Sequence, residues 1–592
     1  MGASRHGTLV LLFAAIVFFG CIFSPPALLD DVDAVQAQIA KNMLDSGDWV
    51  TAHLDGVRYL EKAPLKYWMM AVSYMVFGVH DWAARLPIAL GAVVLCWLTR
   101  RMGRWAFGDR AGFFAGVAMA TCIGMWLFTR VLIPDVLLTL AIAFALWAFL
   151  RALDDDERRP RAWSAAMAAS IGVAVMLKGL IGVLFPMGAA IVCLAIRRRL
   201  LARETWRQLH VFSGILIFLA IAAPWHVLAS IRNPPVWYFS LHSGPGHYHG
   251  FFWFYFFNEH ILRFLGTRYP VDYNTVPRLQ FWLGHLVWLF PWSVFLPGLL
   301  RLRYRSEDRA SRTRLLALCW IGLVLIFFTF STSQEYYSMP CYPALALLLG
   351  CVVASEGPRL PLGYRAIGAI ALVAALACIG ILIAVRNVPT PGDIFSSLTT
   401  EAPSEYTLAL AHMGDLTVKS FAYLRLPLGL AAFAFTVGSV ALLRARSARA
   451  WIWPVVMMLL LVHAARIAMA TFQPYLSSKD LADALMTAKP GQLIADDQYY
   501  DWSSVFFYAK RDGLLLNGRK TNLEYGSNGP GAPQVFIDDA RLGQLWRESR
   551  RMYLLISDSE VPRLRGMVDP VTLLAVKHSG GKTLYTNHEN WN

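Results

Sequence analysis

Three aspartates, Asp30, Asp31 and Asp33, fall within four positions immediately after the first apolar run of the chain. A carboxylate beside a membrane segment is costly, so a cluster of them is a candidate for chemistry: it can orient an acceptor group or take its proton. A helix N-cap accounts for one such aspartate and leaves two unexplained. Asp135 follows Pro134 at the head of another apolar run, where it either caps a helix or faces a ligand. Lys178 stands alone between two apolar stretches; its ammonium can snorkel to water or meet a phosphate. Cations and acids mix in Arg58-Tyr59-Leu60-Glu61-Lys62 and again in Asn258-Glu259-His260-Ile261-Leu262-Arg263. Ser333-Gln334-Glu335-Tyr336-Tyr337 adds further polar groups. Arg58, Lys62, Lys178 and Arg263 are the candidates to carry the charge of a departing phosphate, with Asp31 to position or activate an acceptor.

These residues must be positioned by membrane helices. The chain is 57% hydrophobic and 16% charged, with a mean hydropathy of +0.46, more apolar surface than a water-soluble core needs. Runs of about 20 apolar residues mark spans. They centre near residues 16, 91, 120, 143, 170, 188, 219, 288, 322, 346, 375, 434 and 460, about thirteen in all. The net charge of +15 is concentrated in short loops, such as Arg100/Arg101/Arg104, Arg197/Arg198/Arg199 and Arg301/Arg303/Arg305. That placement follows the positive-inside rule and excludes nucleic acid as the partner. The N-terminus is then cytoplasmic, and an odd span count places the C-terminus outside. Every candidate segment named above falls on the outer side, whereas a transporter would collect polar groups at the midplane of inverted repeats. The first run, from about Thr8 to Phe23, lacks a small-x-small cleavage site before Ser24-Pro25-Pro26 and reads as a retained span. The cysteines, among them Cys21, Cys96, Cys122, Cys193, Cys319 and Cys351, form no metal or disulfide pattern and read as packing residues.

The expected architecture is mainly α. A transmembrane unit covers residues 1–471, with interfacial helices over Val32 to Leu44 and Ala63 to Phe77 in the first outer loop. A small α/β unit covers residues 472–592, with strands expected at Gln492 to Ile494, Val505 to Tyr508, Met552 to Ile556 and Thr583 to Tyr585, and a helix over Ala540 to Arg551.

Several of these segments carry a resemblance. Asp30-Asp31, Ser46-Gly47-Asp48-Trp49, Tyr59-x-Glu61-Lys62-x-Pro64, Pro134-Asp135, Leu177-Lys178-Gly179, Glu259-His260 and Glu335-Tyr336-Tyr337 resemble the bacterial lipid A aminoarabinose transferases and the wider protein O-mannosyltransferase-like group of GT-C glycosyltransferases. The likeness runs from residue 1 to about 360. Family members present Pro-Asp-Glu followed by Arg-Tyr-Ala-Glu in the first loop; here a one-residue shift aligns the aspartate with Asp31, and Val35 replaces the basic residue.

The resemblance implies an inverting transfer of a sugar from an undecaprenyl-phosphate donor to lipid A, a protein or another periplasmic acceptor, at the bacterial inner membrane. With the charge mixtures above, the catalytic candidates are Asp30, Asp31, Asp135 and Lys178, and the candidate substrate contacts are Arg58, Tyr59, Lys62, Arg263, Tyr336 and Tyr337. No cofactor is required for the chemistry. The resemblance also suggests Glu61 and His260 as ligands of a divalent metal, zinc or magnesium; an ion pair or hydrogen bond is the alternative reading of both. The expected partners are the lipid-linked donor, the acceptor and membrane lipids, with the chain a monomer. The arginine distribution makes one direct prediction: alkaline phosphatase fused after Asn592 is active, whereas a cytoplasmic C-terminus would leave it inactive.

Overall fold

The computed structural model of the chain describes residues 2–20, 22, 26–242, 244–271, 275–305, 307–398 and 413–589. Cys21, Phe23, Ser24-Pro25 and the C-terminal Asn592 lie outside the described residues. Among the described residues nine helices are long and apolar enough to cross a membrane, and two bent helix pairs and two shorter apolar helices accompany them. Each of the thirteen expected centres falls on one of these segments. The chain is a multi-pass membrane protein.

The first nine helices are α1 (Gly2–Phe18), α2 (Val32–Ser46), α3 (Leu65–Phe77), α4 (Asp81–Phe107), α5 (Asp109–Thr121), α6 (Ile123–Thr129), α7 (Asp135–Ala152), α8 (Pro160–Lys178) and α9 (Ile181–Ile196). The runs near 120 and 288 are broken rather than straight. Helices α5 and α6 meet at 50°, and Arg278–Trp288 meets Trp292–Arg301 at 101°. Pro291 stands in the sharper break, where a missing N–H prevents the helix from continuing. The two breaks face each other, because Ile123 N donates to Phe290 O at 3.2 Å.

The loop after α1 folds as α2, a hairpin and α3. Gly47, at φ +71°, ends α2 as its N–H donates to Met43 O. Asp48 Oδ1 then accepts from Val50 N (2.9 Å) and Thr51 N (3.1 Å). The Ser46-Gly47-Asp48-Trp49 run is therefore a helix stop. Residues Asp33 to Ala40 of α2 are all buried, so α2 is enclosed by protein instead of lying open in the interface plane. Only α3 ends on an exposed apolar face, at Val72, Met75, Val76 and Phe77.

The hairpin between them pairs β1 (Ala52–Leu54) with β2 (Val57–Tyr59). Asp55-Gly56, both at positive φ, makes the two-residue turn.

The helix Ile452–Leu476 carries the chain out of the bundle. Beyond it lies a six-stranded sheet in the order β5-β4-β3-β6-β8-β7. Its strands are β3 (Gln492–Asp496), β4 (Gly513–Leu516), β5 (Phe536–Ile537), β6 (Met552–Ser557), β7 (Leu574–Ser579) and β8 (Lys582–Thr586). Strands β3 to β6 pair in parallel, and β8 joins β6 and β7 antiparallel. The strands expected near 492, 552 and 583 are β3, β6 and β8. Val505 to Tyr508 is not a strand: it lies in the helix Ser503–Ala509. A four-residue apolar run does not distinguish the two states by pattern. Here Val505, Phe506 and Phe507 are all buried, and packing rather than alternation decides. The helix expected over Ala540 to Arg551 spans Asp539–Trp546 and stops short of Arg547 and the following polar residues.

The sheet unit clamps the first loop. Ser477 Oγ donates to Leu28 O at 2.7 Å, and Gly513 N donates to Asp55 Oδ1 at 3.3 Å. Asp55 is 6% exposed, its Oδ2 has no hydrogen-bond partner among the described residues, and Asp512 lies near it. Burial first, and then Asp512, push its carboxyl up to about 7, against the pull of the Gly513 N–H. The folded state therefore holds a proton that the unfolded chain has released between about pH 4 and 7, so ionising Asp55 destabilises the fold as pH rises through that window. Asp55→Asn is expected to raise the melting temperature at pH 8 and to leave it unchanged at pH 4. An equal effect at both pH values, measured by differential scanning fluorimetry, would contradict this.

Candidate functional site

The local turns of the first outer loop and of the α8–α9 connection bring the candidate residues together. Helix α8 ends at Lys178 and α9 begins at Ile181, so Gly179-Leu180 alone turns the chain. Gly179 has φ +71°, and a Cβ there would lie 2.2 Å from His260 Nε2. Only glycine fits, for backbone and space alike. The turn points Lys178 at the head of α7, where its Nζ donates to both carboxylate oxygens of Asp135, at 2.7 and 2.8 Å. Among the described residues the Asp135 carboxylate takes its hydrogen bonds from Lys178. Lys178 is thus paired rather than solitary, and it also stands over the rings of Tyr336 (5.3 Å) and Tyr337 (4.9 Å). An ammonium has three donors, and Asp135 uses two of them.

Two cavities meet beside this pair. The first, about 370 Å³, is lined by Lys62, Lys178, Arg263, Tyr336 and Tyr337 at its polar end. Leu180, Ile181, Leu184, Phe264, Phe327 and Phe328 form its apolar walls. The second, about 600 Å³, is lined by Asp30, Asp31, Gln36 and Tyr59 of the first loop, and by Gln498, Tyr500, Asp501 and Lys582 of the sheet unit. Glu61, Lys62, Ile133, Pro134, Arg263 and Tyr336 line both and form the wall between them.

Glu61 is the hub of that wall. Its Oε2 accepts from Tyr59 Oη (2.6 Å) and from Asn522 Nδ2, and its Oε1 faces Lys62 and Arg263. Arg263 Nη1 also reaches Glu259 Oε2 at 2.9 Å, while its Nη2 donates to Tyr337 Oη at 3.1 Å. Glu259 and His260 are carried by a π-helical segment, Trp253–Leu262, a rare geometry found mostly where function requires it. Burial pushes the Glu259 carboxyl up, but Arg268, Arg263 and Lys62 outweigh it and hold it below the usual range.

The three aspartates have three separate situations. Asp30 is bound to the sheet unit: it pairs with Lys582 Nζ at 2.8 Å and accepts from Ser478 Oγ (2.6 Å) and Ser504 N (2.9 Å). Asp33 faces away, accepting from Leu132 N at 2.8 Å with Arg85 at 3.8 Å. Asp31 lines the second cavity and has φ +69°, a conformation that costs an L-residue about 1–3 kcal/mol. Its N–H donates to Tyr500 O at 2.7 Å and its carbonyl accepts from Ser503 Oγ at 3.3 Å, so the sheet unit holds the strained backbone in place. Val35 is fully buried.

The structure does not bring Arg58 to the site. Strand alternation turns Arg58 to the face opposite Tyr59, where it meets Tyr248 and Gly529, and it lines neither cavity. Glu61 and His260, the two residues suggested as metal ligands, both line the first cavity and are each bonded to protein groups. His260 Nδ1 bonds Tyr255 O at 2.6 Å and Nε2 accepts from Leu180 N at 3.0 Å, so both ring nitrogens are engaged. Burial lowers its imidazole below the ordinary value, and among the described residues no three His, Cys, Asp or Glu side chains cluster to hold an ion. Lys582, Tyr500 and Gln498 were not singled out from the sequence; the turn signal Gly580-Gly581 just before Lys582 is the one available clue.

The chain is a multi-pass membrane protein with two cavities that share one wall. A family model described as dolichyl-phosphate-mannose-protein mannosyltransferase matches residues 61–227. Curated relatives include the undecaprenyl phosphate-alpha-4-amino-4-deoxy-L-arabinose arabinosyl transferases of Enterobacter sp. (strain 638) and Pseudomonas fluorescens (strain Pf0-1). The first is 26% identical over 358 residues, 58% of this chain and 59% of that one. The second is 29% identical over 356 residues, 58% of this chain and 57% of that one. The chain therefore matches somewhat over half the length of these relatives. Among solved structures, ArnT from Cupriavidus metallidurans bound to undecaprenyl phosphate superimposes with a TM-score of 0.79 at 23% identity, covering 99% of this chain and 98% of that one. The Archaeoglobus fulgidus oligosaccharyltransferase shares the fold more distantly, with a TM-score of 0.51 at 12% identity over 99% of this chain and 74% of that one. The resemblance carried by the sequence motifs and the fold agree.

The geometry separates the aspartates experimentally. Asp31→Asn is expected to abolish transfer and keep the melting temperature. Asp30→Asn should lower the melting temperature, because it loosens the sheet unit, and Asp33→Asn should change activity least. Loss of activity in Asp33→Asn alone, at wild-type stability, would reverse this order.

Proposed function

We propose that the chain transfers a sugar from an undecaprenyl-phosphate carrier to an acceptor on the periplasmic side of the bacterial inner membrane, with aminoarabinose and lipid A as the preferred pair. The observation that carries this reading is the first cavity, whose cationic end continues into an apolar wall. That shape suits a lipid phosphate whose tail stays in the bilayer. Its three cations, Lys62, Lys178 and Arg263, are each positioned by a carboxylate, so they await the leaving group with no reorganisation. Holding donor and acceptor against one shared wall replaces an encounter in solution by proximity.

In the proposed step the acceptor oxygen, held in the second cavity, attacks the anomeric carbon from the side opposite the phosphate. The bond from that carbon to the phosphate oxygen breaks, and its electron pair leaves with the polyprenyl phosphate, inverting the centre. An acceptor hydroxyl gives its proton to Asp31; a lipid A phosphate is already anionic, and Asp31 then orients it. Tyr336 and Tyr337 fix Lys178 and Arg263 and close the donor side. No step passes through a metal.

Protein O-mannosyl transfer is the second reading, favoured by the description of the family model over residues 61–227. Mass spectrometry of lipid A and of periplasmic proteins from a deletion strain separates the two by which product is lost.

Removing the Lys178 charge should cost about 2–4 kcal/mol in transition-state stabilisation, roughly 30- to 1000-fold in rate. Asp135 is 2% exposed, so Lys178→Met alone also strands a buried carboxylate. The Lys178→Met/Asp135→Asn pair restores charge balance and is expected to recover stability without recovering transfer. Lys178→Arg should rescue poorly, because a planar fork does not replace a compact ammonium. The assay is transfer from a polyprenyl-phosphate sugar by purified protein in detergent. Near-normal rates in the double variant would leave the pair a structural one.

A further inference from the structure

Behind the wall of the second cavity, three polar side chains bond to one another inside the protein. Gln36 of α2 lines that cavity one turn after Val32, on the same helix face, and Val32 follows Asp31 directly. Gln36 is nevertheless only 4% exposed. Its Oε1 accepts from two donors of α3: Lys66 Nζ and, at 2.9 Å, Tyr67 Oη. Lys66 Nζ also donates to Leu132 O at 2.9 Å, in the segment that leads to Asp135. Lys66 and Tyr67 are themselves buried, and they line neither cavity. Polar groups in such a place are costly, and the transfer chemistry described above uses none of the three.

The hydrogen-bond network assigns the direction of the Gln36 amide. Tyr67 Oη has Gln36 as its one hydrogen-bond partner among the described residues, and a fully buried hydroxyl needs an acceptor. A reversed amide would offer Tyr67 a donor and leave its O–H proton stranded in the core. Lys66 enforces the same direction. Burial first, and then Lys62, lower its amine well below the ordinary value, against the pull of Asp135 and Asp33. Even uncharged, the amine keeps two N–H bonds, one for each oxygen it touches. Gln36 Oε1 is therefore fixed toward the core. Its Nε2, with no partner among the described residues, is the polar atom left to face the cavity.

We propose that Gln36 is a substrate-binding residue of the second cavity, whose side-chain N–H holds an oxygen of the acceptor, and that Lys66 and Tyr67 are positioning residues that fix its direction. The inference rests on the transfer reading above, which places the acceptor beside Asp31. Asp31 accepts from or orients the acceptor on one side, and Gln36, little more than one turn along α2, donates to it from another. An amide fixed in advance loses no rotamer freedom when the acceptor arrives. The donor also carries phosphate oxygens, but Gln36 lines the second cavity and not the first, which favours the acceptor. Through Leu132 O, Lys66 further ties the amide to the segment that carries Ile133 and Pro134 of the shared wall.

The test is steady-state transfer by the full-length protein in detergent, from undecaprenyl-phosphate aminoarabinose to purified lipid A. Each substrate is varied at a saturating level of the other, and thermal unfolding is followed in parallel. Gln36→Leu is expected to raise the acceptor KM about 10- to 100-fold and to leave the donor KM within about 2-fold. Gln36→Glu keeps an oxygen for Lys66 and Tyr67 but loses the N–H. It should unfold no earlier than the wild type and still show the acceptor defect, which a purely structural role would not produce. Tyr67→Phe should raise the acceptor KM about 3-fold, and should add nothing in the Gln36→Leu background, because its effect passes through the amide. If Gln36→Leu fails to fold, Gln36→Glu carries the test. A normal acceptor KM in Gln36→Glu would overturn the role of Gln36, and a rise in the donor KM alone would overturn its assignment to the acceptor. Independent, multiplying effects of Tyr67→Phe and Gln36→Leu would overturn the positioning role. No transfer to lipid A by the wild-type protein would overturn the transfer reading itself, and this inference with it.

Discussion

The contact on which the rest depends is the buried ion pair between Asp135 and Lys178. Two charges at the outer ends of neighbouring helices would each be costly alone, and their attraction offsets that cost only with close geometry. The geometry comes from a two-residue turn at Gly179-Leu180, from Pro134 opening α7, and from the rings of Tyr336 and Tyr337 beneath the ammonium. The turn is itself held by His260, whose Nε2 accepts from Leu180 and whose ring fills the space a Gly179 side chain would need. One ion pair thus fixes α7, α8, α9 and the second outer loop together.

The sheet unit is the second constraint, and it is more than an appendage. Strand β8 begins with Lys582, directly after the Gly580-Gly581 turn, and Lys582 joins Asp30 across the full length of the chain. Ser504 and Ser478 complete the grip on Asp30, and Tyr500 holds the backbone of the next residue, Asp31, at positive φ. Stability and strain are divided between neighbours: Asp30 anchors, and Asp31 is left to face the cavity. Glu61 does the same for the opposite wall, collecting Tyr59, Asn522, Lys62 and Arg263 from three parts of the chain.

Charge balance explains how such a site survives at a membrane surface. Lys62, Lys178 and Arg263 are matched by Glu61, Asp135 and Glu259, so the first cavity carries directed donors without a large net charge.

The membrane helices were legible because hydrophobic length is a local property: about 20 apolar residues declare a span wherever they occur. The motif likeness singled out Asp31, Lys62, Asp135 and Lys178, and the local mixture of charges Arg263, all of which line the cavities. Two hairpins were equally written in the sequence, at Asp55-Gly56 and Gly580-Gly581, whose residues tolerate the positive φ a two-residue turn needs. Other features were decided by tertiary structure. Strand alternation sent Arg58 away from Tyr59, and burial on every side made Val505 to Phe507 helical. Asp30, Asp31 and Asp33 are alike in type and neighbours in sequence. Only the arrival of Lys582, Tyr500 and Arg85 from distant segments makes one an anchor, one a cavity carboxylate and one a buried partner. A residue's type fixes what it can bond, but its partners are set by packing between segments hundreds of positions apart.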